Sequence, residues 1–207
     1  MIDIWNDEEY QRLSAENIAA REQLVQYVRS KASPVTADYT FTDGDHNYTL
    51  NDFFGDHDDL IVVHNMGVAC RHCTLWADGV NGLLPHLESR TAVVLVNEDP
   101  IPVQRKIAAD RGWRLTMRRD ADGAFSKSLG FAMEEDGKNE RLPGYSTFHR
   151  SSDGTITHVA SDAFGPGDMY MSVYPFFEML KDGPGDWEPD TPSKKPISIS
   201  IPQEFTA

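Results

Sequence analysis

Two short runs of consecutive apolar residues stand out in the hydrophobic pattern of this chain. Residues 60–66 begin with Leu-Ile-Val-Val and are predicted to form one strand, and residues 91–97 contain Ala-Val-Val-Leu-Val and are predicted to form a second. Runs of this kind are typical of strands that are buried on both faces of a sheet. Residues 74–90, between the runs, are predicted to form a helix. A strand, a helix and a second strand make a β-α-β unit, in which the strands are parallel and the crossover is right-handed.

Apolar residues spaced among charged ones precede this unit. Residues 7–31 are predicted to form an amphipathic helix, which Ser33-Pro34 would end. Its apolar positions are Leu13, Ile18, Leu24, Val25 and Val28. Residues 39–50 contain two short strand-like segments around an Asp-Gly turn, which predicts a β-hairpin. Residues 51–55 are expected to add one helical turn.

The segments after the β-α-β unit continue an alternation of helix and strand. Residues 102–111 are predicted to form a helix that Gly112 ends, and residues 114–117 a short strand. Residues 120–130 are expected to be a loop with a helical turn. The polar residues 134–141 indicate an exposed insertion.

The last predicted elements are a hairpin and a closing helix. Residues 144–150 and 155–161 flank a Ser-Ser-Asp-Gly turn, which is a strong signal for an antiparallel hairpin. Residues 168–181 are predicted to be helical. The apolar side of that helix would consist of Val173, Phe176, Phe177 and Leu180. From residue 183 onward the chain is rich in Pro, Gly and polar residues, which predicts a tail that lies on the surface or is partly disordered.

This order of elements predicts the fold class. A parallel unit followed by an antiparallel hairpin and a helix is the order of a thioredoxin-like α/β protein. We therefore expect a three-layer sandwich with a central mixed sheet, extended by an N-terminal helix and the first hairpin. The expected division is an N-terminal helical extension over residues 1–35, a thioredoxin-like domain over 36–182 and a tail over 183–207.

Composition and charge narrow the classes of function. The chain has 207 residues, a net charge of −14 and 40% hydrophobic residues, so it can bury a core. Its acidity argues against partners that are polyanions, such as nucleic acids and anionic membranes. The sequence shows neither a secretory signal nor a run long enough to span a membrane, so we expect a cytoplasmic protein. Reducing conditions there make a structural disulfide a poor explanation for cysteines.

The two cysteines of the chain carry the clearest chemical signal. Cys70 and Cys73 enclose Arg71 and His72, where the first buried strand passes into the helix. Partial positive charge at a helix N-terminus favours a thiolate at Cys70, and Cys73 is close enough to resolve a mixed disulfide. Cations at Arg71 and His72 would lower the pKa of Cys70 further. The plain alternatives are inert buried cysteines and a solvated polar turn.

A zinc site is another interpretation of these cysteines. Two cysteines and two histidines could bind zinc tetrahedrally, and the candidate histidines are His64, His86, His149 and His158. None of these histidines has the short pair spacing of a zinc finger, so we predict no metal site.

Several segments together resemble a known family. They are Cys70-Arg71-His72-Cys73 with the following Thr-Leu-Trp-Ala-Asp, residues 85–87, 112–113 and 143–148, and the hairpin through residue 161. Within the thioredoxin-like and peroxiredoxin-like superfamily, they are similar to the domain-of-unknown-function 899 family of predicted dithiol-disulfide oxidoreductases. The resemblance covers nearly the whole chain. It implies that Pro143 lies at the substrate groove, where thioredoxin-like proteins carry a cis-proline; a trans loop is the alternative.

Two departures from the wider superfamily argue against a partnership with thioredoxin reductase and favour thiol–disulfide exchange over peroxide reduction. Thioredoxins usually have Trp directly before the first cysteine, and Ala69 stands there in this chain. Peroxiredoxins carry Pro and Thr before the peroxidatic cysteine, and residues 65–69 contain neither. Because His72 precedes the second cysteine, as in disulfide isomerases and oxidases, we predict a couple less reducing than thioredoxin, whose potential is roughly −270 mV.

The sequence therefore predicts a dithiol–disulfide oxidoreductase without a bound cofactor. Cys70 would attack the disulfide of a protein or the disulfide form of a small thiol compound, and Cys73 would resolve the mixed disulfide. One alternative is a peroxiredoxin-like hydroperoxide reductase that uses the same Cys70. Another is a non-catalytic binding module. The N-terminal helix could pack on the core or against a second subunit, which would make a homodimer.

Overall fold

A computed structural model describes residues 3–135, 138–165 and 168–189. The helices are α1 (Glu8–Arg29), α2 (Arg71–Leu87), α3 (Ile101–Arg111), α4 (Ala124–Ser128) and α5 (Val173–Glu178), with a 3₁₀ turn at Asn51–Phe54. The strands are β1 (Ser33–Pro34), β2 (Phe41–Thr42), β3 (Asn47–Tyr48), β4 (Asp59–His64), β5 (Ala92–Asn97), β6 (Thr116–Arg119), β7 (Ala132–Glu135), β8 (Lys138–Arg141), β9 (Gly144–Arg150) and β10 (Ile156–Ala163).

Eight of these strands form one mixed sheet, in the order β1-β10-β9-β4-β5-β6-β2-β3. Strand β4 is central: it pairs in parallel with β5 and antiparallel with β9. Strand β5 pairs in parallel with β6. The predicted β-α-β unit and the antiparallel hairpin are therefore confirmed. Since β4 and β5 are parallel, their carboxyl ends, His64 and Asn97, lie at the same edge of the sheet.

Alternating side chains of the central strands build two cores, one on each face of the sheet. Val62 and Val94 point into a core completed by the first hairpin, the 3₁₀ turn and α4. Val63 and Leu95 point into a second core, which contains Trp76 of α2. Burial on both faces explains why the two strands appear in the sequence as continuous apolar runs. The expected thioredoxin-like sandwich with a central mixed sheet flanked by helices is confirmed.

Three local predictions need correction. Helix α2 begins at Arg71, three residues before the predicted start. The predicted insertion contributes a two-stranded sheet, β7 with β8, on either side of the undescribed residues 136–137. Helix α5 is shorter than predicted, and Phe176 is 70% exposed while Tyr174 is 7% exposed. A turn at Asp168, whose side chain accepts the N–H groups of Tyr170 and Met171, occupies the start of the predicted helix.

The ends of the chain extend the sandwich. Helix α1 begins at Glu8 and packs over β10, and the side chain of its N-cap residue, Asp7, accepts the N–H of Tyr10. Ser33–Pro34 pairs with β10, so this part of the predicted extension joins the sheet. Most of the predicted tail, residues 190–207, lies outside the described residues, and the three-part division of the chain stays a prediction. No helix in the described ranges is long and apolar enough to cross a membrane.

Candidate active site

Cys70 lies at the N-cap of α2, after a short loop that leaves the carboxyl end of β4. Its backbone is extended, with φ −90° and ψ 107°, and its Sγ accepts the peptide N–H of Cys73 at 3.0 Å. This is the hydrogen bond that an N-cap side chain makes with the third helical residue. Cys70 is partly exposed, whereas Cys73 is 2% exposed, and both thiols are free.

The two thiols differ in acidity because they hydrogen-bond to each other. The Cys73 thiol donates to Cys70, and the peptide N–H groups of Cys73 and His72 add to this, so the pKa of Cys70 falls from 9.0 to about 7. The hydrogen bond to Cys70, followed by burial and the charge of Cys70, raises the pKa of Cys73. Near neutral pH the pair therefore combines an accessible thiolate with a buried thiol.

The side chains of Arg71 and His72, which lie between the two cysteines, have different surroundings. The peptide N–H of His72 points at Cys70, while its ring is parallel to that of Tyr174 and its Nε2 lies 3.7 Å from a carboxylate oxygen of Glu188. The Arg71 side chain is exposed. The proposed effect of these two charges on the pKa of Cys70 stays a prediction. The approach of Tyr174 and Glu188 to the site was missed, because they are about 100 residues away in sequence and only the fold brings them there.

The side chains of Asn65 and Asp99 hold the loop before Cys70 in place through hydrogen bonds. Asn65 accepts the N–H of Gly67 at 2.7 Å and donates to the carbonyl of Cys73 at 3.2 Å, so it ties the loop to the first turn of α2. Asp99 accepts the N–H of Val68 at 2.8 Å. Gly67 has φ +96°, and a Cβ there would lie 2.7 Å from an Asp99 oxygen. This turn therefore requires glycine.

Two buried amide side chains, those of Asn97 and Gln104, form hydrogen bonds that hold Asp99 in place. Asn97 is 5% exposed at the end of β5, and its side chain accepts the N–H of Asp99 at 3.1 Å. Gln104 is 3% exposed and donates to Asn97 Oδ1 at 2.7 Å. Sequence reasoning did not find these supporting residues. The available signal was the polar character of Asn97 at the end of an apolar strand; Gln104 lies in α3.

Comparison with known proteins places this chain in a family. The model of the family described as "Bacterial protein of unknown function (DUF899)" matches residues 3–193. The chain belongs to the DUF899 family. No curated protein matches its sequence.

The solved structures that resemble this DUF899 protein share its fold. Peroxidoxin BcpB from Mycobacterium tuberculosis has 20% identity and a TM-score of 0.52, over 64% of this chain and 84% of that chain. A cysteine-to-serine mutant of PrxQ from Xylella fastidiosa has 17% identity and a TM-score of 0.51, over the same 64% and 84%. At such identities the likeness supports the thioredoxin-like fold of the family and is not evidence for an activity.

Pro143 lies at the same edge of the sheet as the cysteines of this DUF899 protein. It precedes Gly144, which is opposite His64 at the end of β4, and its carbonyl accepts the N–H of Phe164 at 2.9 Å. All peptide bonds of the described residues are trans. The cis form expected from the resemblance is therefore wrong, and the trans alternative is correct. A role of Pro143 in a substrate groove stays a prediction.

The histidines considered as metal ligands have other environments. Within the described ranges, no three His, Cys, Asp or Glu side chains are grouped as a metal site. His149 bonds to Asp59 at 2.9 Å. His64 is 2% exposed, stacks on Phe131 with ring centroids 4.0 Å apart, and bonds to Ser146 through Nε2 at 2.9 Å.

A chain of hydrogen bonds continues from His64 across three strands. Ser146 bonds to Ser161 at 2.7 Å, and Ser161 bonds to His158 at 2.7 Å. Burial, followed by the nearby His158, lowers the pKa of His64 to about 3. His64 is therefore a neutral core residue near neutral pH.

Proposed function

We propose that this protein catalyses thiol–disulfide exchange, with Cys70 as the attacking thiolate and Cys73 as the resolving thiol. The observation that carries the proposal is the unequal pair at the start of α2. A partly exposed sulfur with a pKa of about 7 accepts the Cys73 N–H, and a buried thiol donates to it. A thiol whose pKa is near ambient pH is the best attacking group, because it combines thiolate content with nucleophilicity.

The first step forms a mixed disulfide. The Cys70 thiolate attacks one sulfur of a substrate disulfide, the substrate S–S bond breaks, and the departing thiolate takes a proton from water. Cys70 then carries no charge. Two causes of the raised pKa of Cys73, its hydrogen bond to Cys70 and the charge of Cys70, are thereby removed. Formation of the mixed disulfide thus activates the resolving thiol.

The second step closes the internal disulfide. Cys73 loses its proton and attacks Cys70, and the remaining substrate sulfur leaves as a thiolate that is then protonated. The substrate disulfide is reduced to two thiols, and the protein dithiol is oxidised to one disulfide. No cofactor takes part, and a second thiol compound must reduce the protein before another cycle.

Oxidised glutathione and mass spectrometry test this proposal. We expect the reduced wild type to form the internal disulfide, Cys73→Ser to accumulate one glutathione on Cys70, and Cys70→Ser to accumulate none. The rate of disulfide formation in the wild type should follow a titration whose midpoint is near the pKa of Cys70, about 7. If Cys70→Ser is modified as fast as Cys73→Ser, Cys70 is not the attacking group.

Hydrogen peroxide in place of glutathione distinguishes the peroxidase alternative. The residues before Cys70 lack the Pro and Thr of peroxiredoxins, so we expect disulfide exchange to be the faster reaction. A Cys70 that is oxidised by peroxide much faster than by the disulfide would favour the peroxidase. A Cys70 that reacts with neither faster than a free thiol would favour a binding module.

A further inference from the structure

A cavity of about 600 Å³ lies between α1 and the part of the sheet formed by β4, β9 and β10. Helix α1 contributes Leu24, Val25 and Val28 to its wall, and the sheet contributes Ile61 and Thr147. The size falls within the range of about 300–1,000 Å³ that is usual for small-molecule sites. The dithiol residues do not line it.

The cavity exists because α1, which packs over β10, leaves a space between its apolar side chains and the neighbouring strands. None of the 22 residues of α1 is buried, and Leu24 is 53% exposed although it faces the cavity wall. Most helices of a sandwich bury an apolar stripe against the sheet. Here the stripe lines an unfilled space, so an apolar molecule that enters it removes both surfaces from water.

A hydrogen-bonded pair of tyrosines forms one polar side of the cavity. The Tyr170 hydroxyl donates to Asp162 at 2.7 Å, and the Tyr145 and Tyr170 oxygens lie 2.8 Å apart. A tyrosine has one hydroxyl proton, and that of Tyr170 goes to Asp162. Tyr145 must therefore donate to Tyr170. Both protons are committed, so neither hydroxyl has a proton to donate to a ligand.

The charges of the lining leave cationic donors without carboxylate partners. Arg90 pairs with Asp59 at 2.6 Å, and Asp168 accepts three backbone N–H groups. Arg21 and Arg29 form no ion pair within the described ranges, although both line the cavity. Arg21 lies within electrostatic reach of Tyr145: burial and the charge of Asp162 raise the pKa of Tyr145, and its hydrogen bond with Tyr170 and the charge of Arg21 oppose that rise. An anionic group therefore finds its partner at Arg21.

We propose that this cavity binds an amphipathic carboxylate, such as a medium-chain fatty acid. The hydrocarbon chain lies between Leu24, Val25 and Ile61, and the carboxylate accepts hydrogen bonds from the Arg21 guanidinium. Asp162 keeps its negative charge, but its two oxygens already accept hydrogen bonds from the Tyr170 hydroxyl and the Ala163 N–H, which offset part of that charge. The site is independent of the proposed dithiol chemistry.

Titration of the full chain with decanoate, below its micelle-forming concentration, tests the site. The protein carries ¹³C-labelled methionine methyl groups, because Met169 lines the cavity and Met66 lies outside it. We expect the Met169 signal to shift to saturation and the Met66 signal to stay. Arg21 is exposed, so Arg21→Gln should weaken decanoate binding by about two- to five-fold, the usual value of an exposed ion pair. It should leave binding of neutral decanol unchanged.

Matched controls make the result specific. Arg12→Gln removes an arginine of the same helix that is paired with Glu9 and Glu16, away from the cavity, and should bind decanoate like the wild type. Cys70→Ser should also bind normally. Val28→Trp narrows the cavity and should weaken decanoate and decanol together, with circular dichroism to verify its fold.

Three outcomes would overturn the proposal. One is no shift of Met169. Another is equal decanoate affinity in the wild type and Arg21→Gln, which would indicate adsorption to apolar surface. The third is a concentration-dependent dimer in sedimentation whose formation shifts Met169 and which decanoate does not compete with, because a second copy would then be the occupant.

Discussion

Replacement of His64 by phenylalanine should remove a specific part of the acid sensitivity of this protein. The imidazole is 2% exposed and its ring stacks with those of Phe125 and Phe131, so a phenyl ring suits its site. The substitution removes a titrating group and one hydrogen bond to Ser146, which keeps its bond to Ser161. We expect a cost of about 1 kcal/mol in stability at neutral pH.

The size and direction of the pH effect follow from the two pKa values of His64. The value is about 3 in the folded protein and 6.5 in the unfolded chain. Below 6.5 the unfolded chain binds a proton that the folded protein does not, so stability falls as the pH falls. From about pH 8 to about pH 5.5 the loss from this one group is about 1.4 kcal/mol.

Urea unfolding at both pH values measures this loss. The free energy of unfolding of the wild type should fall by about 1.4 kcal/mol more than that of His64→Phe, since most other titrations are common to both proteins. His86→Phe is the matched control, because His86 is exposed and its substitution should leave the pH dependence of the wild type in place. If His64→Phe loses stability as steeply as the wild type, the imidazole is not buried in its neutral form.

Two further predictions concern the loop before the dithiol. Gly67→Ala should lower the free energy of unfolding by about 1–3 kcal/mol in urea titrations, because residue 67 has φ +96° and Asp99 fills the space of the new Cβ. The control Gly82→Ala, at an open position of α2, should raise the free energy of unfolding by about 0.5–1 kcal/mol, and equal effects of the two substitutions would contradict this geometry. Asn65→Asp should raise the pKa of Cys70 by about one unit, measured from thiolate absorbance, because it places a negative charge beside the first turn of α2. An unchanged pKa of Cys70 would show that a charge at residue 65 does not act on the Cys70 thiolate.

The parts of the fold that were predictable are those with a local cause. Strands β4 and β5 are buried on both faces, so their apolar runs identify them without knowledge of their partners. The turn at residues 151–154 likewise contains its own signal. The final helix was predicted too long because its apolar residues suggested a core face, whereas the fold leaves Phe176 exposed and uses Tyr174 instead.

The candidate site was predictable only in its sequence-local part. The spacing of Cys70 and Cys73 at a strand–helix junction indicated the dithiol. Asp99 and Gln104 could not be assigned to it, because only the parallel pairing of β4 and β5 brings the ends of the two strands together. The trans bond at Pro143 depends on tertiary packing, which the resemblance did not determine.

The Cys70 sulfur has a second role, as the cap of α2, and oxidation would change it. The reduced sulfur accepts the N–H of Cys73 at the start of a 17-residue helix. In an internal disulfide the sulfur is neutral and a weaker acceptor, so the first turn of the helix loses part of its capping energy. The folded state is therefore stabilised more in the reduced protein than in the oxidised protein, and the difference equals the lost capping energy. If Cys70 and Cys73 exchange disulfides as proposed, loss of this helix cap on oxidation would make their internal disulfide a stronger oxidant.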